Sequence, residues 1–173
     1  ALILSPEVAE HAPLSEALLF YAARADHLAK VIVPALQRGS FVVCDRFSDS
    51  TLVYQSVAGG LSPLVLQRLE EIVVGKARPD LTVIVDIDPA AGLARAEARG
   101  GLQRHSNADQ SAPRRDKYER QSIAYHEKLR AGFLAIAAQE PGRCVVVDGD
   151  RPADVVGHEV WDAVADRLGV NVR

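Results

Sequence analysis

Residues 81–101 read LTVIVDIDPAAGLARAEARGG, and this stretch decides the fold class. Leu81–Ile87 is an apolar run rich in Val and Ile that ends among carboxylates, Asp86 and Asp88. Asp88-Pro89 then opens a helix that the Gly100-Gly101 pair is expected to close. A strand without polar alternation, followed at once by a helix, is the unit of a parallel sheet covered on both faces. Two further runs have the same character: Phe41–Cys44 before Asp45, and Cys144–Val147 before Asp148. Three buried strands in an α/β domain are therefore expected.

Helices fill the intervals. From Leu14 to Arg38, Leu14, Leu18, Leu28, Ile32 and Leu36 recur at helical spacing, with Gly39 as a stop. Pro34 lies within that pattern and predicts a kink or break. Ser62-Pro63 forms an N-cap and first-turn pair for a helix to about Val74, ended by Gly75. Another helix is expected from Asp116, with Glu119 in capping-box position, through Tyr125, Leu129 and Phe133. Pro152 opens the last, with Val156, Val160 and Val164 four apart. Residues 100–115 are polar and aperiodic and carry Arg104, Arg114 and Arg115. They suit either a surface loop or a lid whose arginines meet an anion. No repeat or linker divides the chain, so one domain over 1–173 is expected.

The 173 residues are 48% hydrophobic and 25% charged, which excludes collagen-like, low-complexity and disordered classes. A net charge of −3 gives no global attraction for nucleic acid or an anionic membrane. No run approaches the ~18 apolar residues of a membrane span. Cys44 and Cys144 read as buried strand residues in a reducing compartment, and the expected location is cytoplasmic. There is no methionine, and Ala1 begins inside an apolar run as though the chain were cut within an element.

In an open parallel sheet, ligands bind beyond the carboxyl ends of the strands. After Phe41–Cys44 come Asp45-Arg46-Phe47, Ser50-Thr51 and Tyr54-Gln55. An arginine at a strand end can grip a phosphate with its forked donors or simply pair with its neighbouring aspartate. This spacing resembles the Asp-Arg-aromatic, Ser and Tyr-Gln motif of the thymidylate kinase family. Phe20 and Arg24, four apart within LLFYAARADH, are similar to the same family's helix, as is the VIVPALQRG stretch from Val31 to Gly39. Pro79-Asp80-Leu81, the strand ending Asp86-Ile87-Asp88-Pro89, and Asp116-Lys117-Tyr118-Glu119 extend the resemblance, which covers about Leu2 to Leu168.

The resemblance implies a P-loop NTPase-type, doubly wound parallel sheet flanked by helices, with a lid at about 100–115. It also implies phosphoryl transfer from ATP with Mg²⁺ to dTMP, in a homodimer. Phe20 would stack on the pyrimidine, and Arg24 would hydrogen-bond a base carbonyl. Arg46 would hold the monophosphate, and Asp45 would order that arginine or a hydrated Mg²⁺. Ser50, Thr51 and Gln55 would lie near the base edge, with Tyr54 against the deoxyribose. Tyr118 and Glu119 would face the sugar, although Glu119 also suits a helix cap. Arg114 or Arg115, with Arg104 as a further candidate, would neutralise the transferred group. Lys117 stands where the family commonly has arginine, replacing a fork with a point charge.

No G-x-x-x-x-G-K-[ST] occurs; Gly59-Gly60 and Gly100-Gly101 lack the following Lys-Ser or Lys-Thr. The resemblance then implies that an N-terminal strand–P-loop–helix unit of at least ~30 residues is missing from this chain. Its strand would be central, and its loss would leave backbone groups unpaired. Two alternatives remain: another P-loop nucleoside or nucleotide kinase, and a non-catalytic nucleotide-binding fragment or pseudo-kinase.

Overall fold

Two strands pair in parallel, β1 (Thr82–Asp86) and β2 (Cys144–Asp148), with Thr82 beside Cys144 and Asp86 beside Asp148. The computed structural model describes residues 11–106, 118 and 121–170, with backbone alone for 99–106. Two compact units are present, Ala1–Asp80 and Leu81–Arg173. Among the described residues no helix is long and apolar enough to cross a membrane.

The first unit is helical. α1 (Pro13–His27) passes through a π-helical stretch, Leu28–Ile32, into α2 (Val33–Gln37). Pro34 therefore does not break the pattern: just before it the Val33 N–H reaches back to the Leu28 carbonyl. The wider turn accommodates a residue that has no N–H and whose ring crowds the preceding turn. Gly39, at φ +76°, then reverses the chain.

The buried stripe is Ala17, Tyr21, Leu28 and Ile32, whereas Leu14, Leu18 and Leu36 are each nearly half exposed. The expected stripe thus holds at Leu28 and Ile32, whereas earlier in α1 Ala17 and Tyr21 take the places expected of Leu14 and Leu18. Tyr21 decides it, because its ring enters the core while its hydroxyl donates to the Leu66 carbonyl (3.3 Å) and Glu70 Oε2 (3.1 Å). α3 (Ser48–Thr51) continues as a second π-helical stretch, Leu52–Ala58, and α4 (Pro63–Val73) follows. Leu66 of α4 is fully buried against α1, a burial that stabilises by about 2 kcal/mol. Ser62 stands at the N-cap, but its hydroxyl makes no capping bond; its carbonyl accepts from Val65 and Leu66. Gly75 follows the helix with φ +51°.

Phe41–Cys44 forms no strand. Among the described residues no neighbouring strand takes its N–H and C=O groups, and without that pairing a segment is only extended chain. Val43 is 98% exposed, and Cys44 is exposed rather than buried; Cys144, in β2, is buried.

The second unit holds the sheet with α5 (Pro89–Ser106), α6 (Ile123–Gln139) and α7 (Ala153–Leu168). Asp88 starts α5, its Oδ1 accepting from the N–H groups of Ala90 and Ala91. α5 does not stop at Gly100-Gly101 but continues to Ser106. A glycine weakens a helix interior by about 1 kcal/mol yet removes no donor. α6 begins at Ile123 rather than Asp116, with Ser122 Oγ accepting from the Tyr125 N–H. Upstream, the Gln121 N–H closes a turn onto the Tyr118 carbonyl. Asp116 and Glu119 lie outside the described residues. Ile84, Cys144 and Val147 are buried, while Val85 and Val146 are about half exposed, so these strands are not covered on both faces as expected. Val156, Val160 and Val164 of α7 are half-buried.

Candidate functional site

α1 presents Phe20, half-buried, and Arg24 one turn later. The Arg24 guanidinium lies 4.8 Å from the Tyr21 ring centre and 5.1 Å from that of Phe47. Its Nη2 donates to Thr51 Oγ1 at 2.8 Å. Its Nη1 is buried and has no hydrogen-bond partner among the described residues. Burial is the main influence on Arg24 and lowers its pKa, while Tyr21, Glu70 and Asp49 act in the opposite sense. An arginine remains a cation under such opposing effects, so the pocket holds a fixed positive donor. Burial likewise raises the Tyr21 hydroxyl, assisted by Glu70, and keeps it a neutral donor.

Arg46 follows the extended Phe41–Cys44 segment at φ +65°, the one non-glycine with positive φ among the described residues. The Cys44 thiol donates to its carbonyl at 3.4 Å. The Arg46 side chain is exposed and its guanidinium lies 5.4 Å from the centre of the Tyr54 ring. Asp45 is exposed beside it. Ser50 is half-buried, Thr51 buried, and Tyr54 half-buried. Gln55 is 2% exposed, and its Nε2 donates to Glu16 Oε2 at 3.4 Å, linking the π-helical stretch to α1. Gly59 closes that stretch, since a Cβ there would lie 2.7 Å from the Gln55 carbonyl oxygen.

The first unit thus brings Arg24 to Thr51 and Arg46 to Tyr54. Glu16, Tyr21 and Phe47 complete the surroundings, and sequence reading assigned none of them a role. Phe47 was visible as the aromatic of the Asp-Arg-aromatic motif. Glu16 had a weaker signal, an acid on an otherwise apolar helix face. Tyr118 belongs to the second unit, in a turn and 7% exposed. Arg104 falls on α5, while Arg114, Arg115, Lys117 and Glu119 lie outside the described residues.

A separate arrangement occupies the carboxyl ends of β1 and β2. Arg130 of α6 grips Asp86 with a fork, Nε to Oδ1 at 2.7 Å and Nη2 to Oδ2 at 2.8 Å. That pair of hydrogen bonds holds the Asp86 carboxyl below its usual range. The Gly149 N–H donates to the Asp86 carbonyl at 2.6 Å, and a Cβ at 149 would meet Val85 Cγ1 at 2.8 Å. Arg95 of α5 donates to the Gly149 carbonyl and to Asp150 Oδ1, both at 2.7 Å. Arg151 bridges Asp148 and Glu159. Asp148 is held low by the Asp150 N–H first and Arg151 second. An open cleft of about 660 Å³ lies here, lined by Arg95, residues 149–153 and Val156. Among the described residues no group of His, Cys, Asp or Glu could hold a metal ion.

Comparison with known proteins gives a consistent result. The family model described as thymidylate kinase matches residues 2–160. A Caulobacter vibrioides protein named thymidylate kinase is 46% identical over 158 residues, covering 91% of this chain and 70% of that protein. The Nitrobacter winogradskyi protein of the same name is 48% identical over 153 residues, covering 88% and 62%. The chain thus spans about two thirds of the length of these relatives. The crystal structure of thymidylate kinase from Ehrlichia chaffeensis superposes with a TM-score of 0.67 at 26% identity, covering 91% of this chain and 70% of that one. An α/β fold with a parallel sheet, an aromatic-flanked arginine on α1 and a family match over most of the chain agree: the chain belongs to the thymidylate kinase family, whose members are nucleoside monophosphate kinases.

Proposed function

We propose that the first unit receives dTMP and that the protein transfers the γ-phosphoryl group of ATP to it, giving dTDP and ADP. The observation that carries this reading is Arg24. Thr51 and two aromatic rings fix its guanidinium, and a buried Nη1 has no partner among the described residues. A buried donor left unsatisfied costs about 1–3 kcal/mol, and a pyrimidine carbonyl supplies the missing acceptor. Phe20 stacks on the base, and Ser50, Thr51 and Gln55 border its edge. Tyr54 sits toward the deoxyribose. Arg46, free of any carboxylate partner among the described residues, receives the monophosphate, and Asp45 orders it. Arg114 or Arg115 neutralises charge on the group in transfer. Catalysis is positioning and charge neutralisation in an in-line transfer, without a covalent enzyme intermediate.

The donor nucleotide suits the cleft beyond β2, since open parallel sheets bind ligands past their carboxyl ends. No G-x-x-x-x-G-K-[ST] is present in the 173 residues. A further strand outside the described residues completes a doubly wound sheet and pairs with Phe41–Cys44. Support comes from the exposed Phe41 and Val43. The described residues do not fit a resident metal. Mg²⁺ is expected to arrive on ATP. Both units belong to one nucleoside monophosphate kinase-like domain in a cytoplasmic homodimer.

The test is ADP release from the full-length protein with ATP and Mg²⁺ over dTMP, dUMP, dCMP and thymidine. Preference for dTMP supports the reading, and preference for another acceptor overturns it. A second reading, a nucleotide-binding protein without turnover, predicts dTMP binding but no ADP release.

A further inference from the structure

We propose that Tyr54 is a positioning residue for Arg46, its ring holding the guanidinium by its face so that the edge stays open to a phosphate. The inference rests on the reading that Arg46 receives the monophosphate. An exposed arginine ordinarily samples many rotamers, and a carboxylate partner that fixed it would occupy the donors a phosphate needs. Arg46 has no such carboxylate among the described residues; what lies against it is the Tyr54 ring, 5.4 Å from ring centre to guanidinium carbon. A guanidinium attracted to a ring face keeps its five N–H donors in its own plane, available for forked recognition.

The backbone on both sides supports this placement. Arg46 adopts φ +65°, a conformation that side-chain-bearing residues rarely take, and the Cys44 thiol bonds to its carbonyl. Tyr54 sits in the π-helical stretch Leu52–Ala58, where the wider turn changes the direction of each side chain relative to an α-helix. Gln55 pins that stretch to Glu16, and Gly59 lets the chain close against the Tyr54 and Gln55 carbonyls. Tyr54 is thus held on a supported element, while Arg46 is held at a turn.

The experiment measures equilibrium binding of dTMP and thymidine to the full-length protein and to Arg46→Ala, Tyr54→Phe, Tyr54→Leu and the Tyr54→Leu/Arg46→Ala double variant. Tyr54→Phe keeps the ring and should bind dTMP within about twofold of the parent. Tyr54→Leu should weaken dTMP about fivefold more than it weakens thymidine, the excess expected for a ring–cation contact at an exposed site. Once Arg46 is alanine, Tyr54→Leu should cost dTMP no more than it costs thymidine. An equal loss for thymidine and dTMP would assign the ring to the nucleoside and overturn the proposal. So would additive effects in the double variant, or a dTMP loss in Tyr54→Phe as large as in Tyr54→Leu. If Arg46→Ala binds dTMP as well as the parent, the phosphate reading fails first, and the positioning role with it. Thermal melts accompany each variant; if Tyr54→Leu is unfolded, Tyr54→Met replaces it, with the same expectations.

Discussion

Arg46 joins two demands at one residue, because its backbone carries strain that its side chain gives a reason to keep. A left-handed conformation costs a side-chain-bearing residue about 1–2 kcal/mol relative to glycine, partly offset by glycine's greater freedom when unfolded. Arg46→Gly should therefore be about 1 kcal/mol more stable than Arg46→Ala, and both should lose dTMP turnover. Urea midpoints compare the two, and an alanine variant as stable as the glycine one would remove the strain argument. Thr51→Val keeps the shape of the side chain but deletes the acceptor that Arg24 Nη2 uses at 2.8 Å. A stability loss of about 1–3 kcal/mol and weaker dTMP binding are expected from denaturation and titration. Arg24 and Arg46 stood out in the sequence through motif spacing, and the structure sets them beside Thr51 and Tyr54. Glu16 and Tyr21 did not stand out, because their roles depend on partners 39 and 45 or more positions away.

Between elements, the ends of β1 and β2 are tied by a chain of hydrogen bonds from Arg130 through Asp86 and Gly149 to Arg95. Gly149→Ala places a methyl 2.9 Å from the Asp86 carbonyl oxygen, where backbone cannot move aside cheaply. A loss of about 1–3 kcal/mol is expected by chemical denaturation. Asp86 has a folded pKa below its unfolded value of about 3.9. Its contribution is thus complete above that value and is lost as the pH falls through the lower, folded one. Arg130→Met raises the folded pKa of Asp86, so acid unfolding should begin at a higher pH when followed by circular dichroism. An unmoved acid limb would show that the fork does not contribute.

The paired strands were legible because Val-rich runs ending in carboxylates specify them locally. Phe41–Cys44 has the same local character, yet pairing is a property of two segments and cannot be read from one. The π-helical turn before Pro34 was hidden for a related reason, since the pattern predicts a disturbance without saying whether the helix ends or widens.

For the whole molecule, the α/β class and the family were both visible before any coordinates, the first from strand–helix alternation and the second from several motifs in order. The two compact units were not, because no composition shift or linker marks the boundary at Asp80. If turnover requires Mg²⁺ carried on ATP, chelation with EDTA should abolish ADP release while leaving dTMP binding intact. Loss of dTMP binding on chelation would instead point to a metal in the acceptor site. The π-helical stretch at Leu52–Ala58 also has an evolutionary consequence. Such a stretch is equivalent to one residue inserted into an α-helix, and each residue in that helix advances the direction of side chains by about 100°. Deleting any one residue before Tyr54 in this stretch would swing both Tyr54 and Gln55 away from Arg46 and Glu16 together. Descendants of this chain can vary its composition there, but they cannot vary its length without rebuilding both contacts.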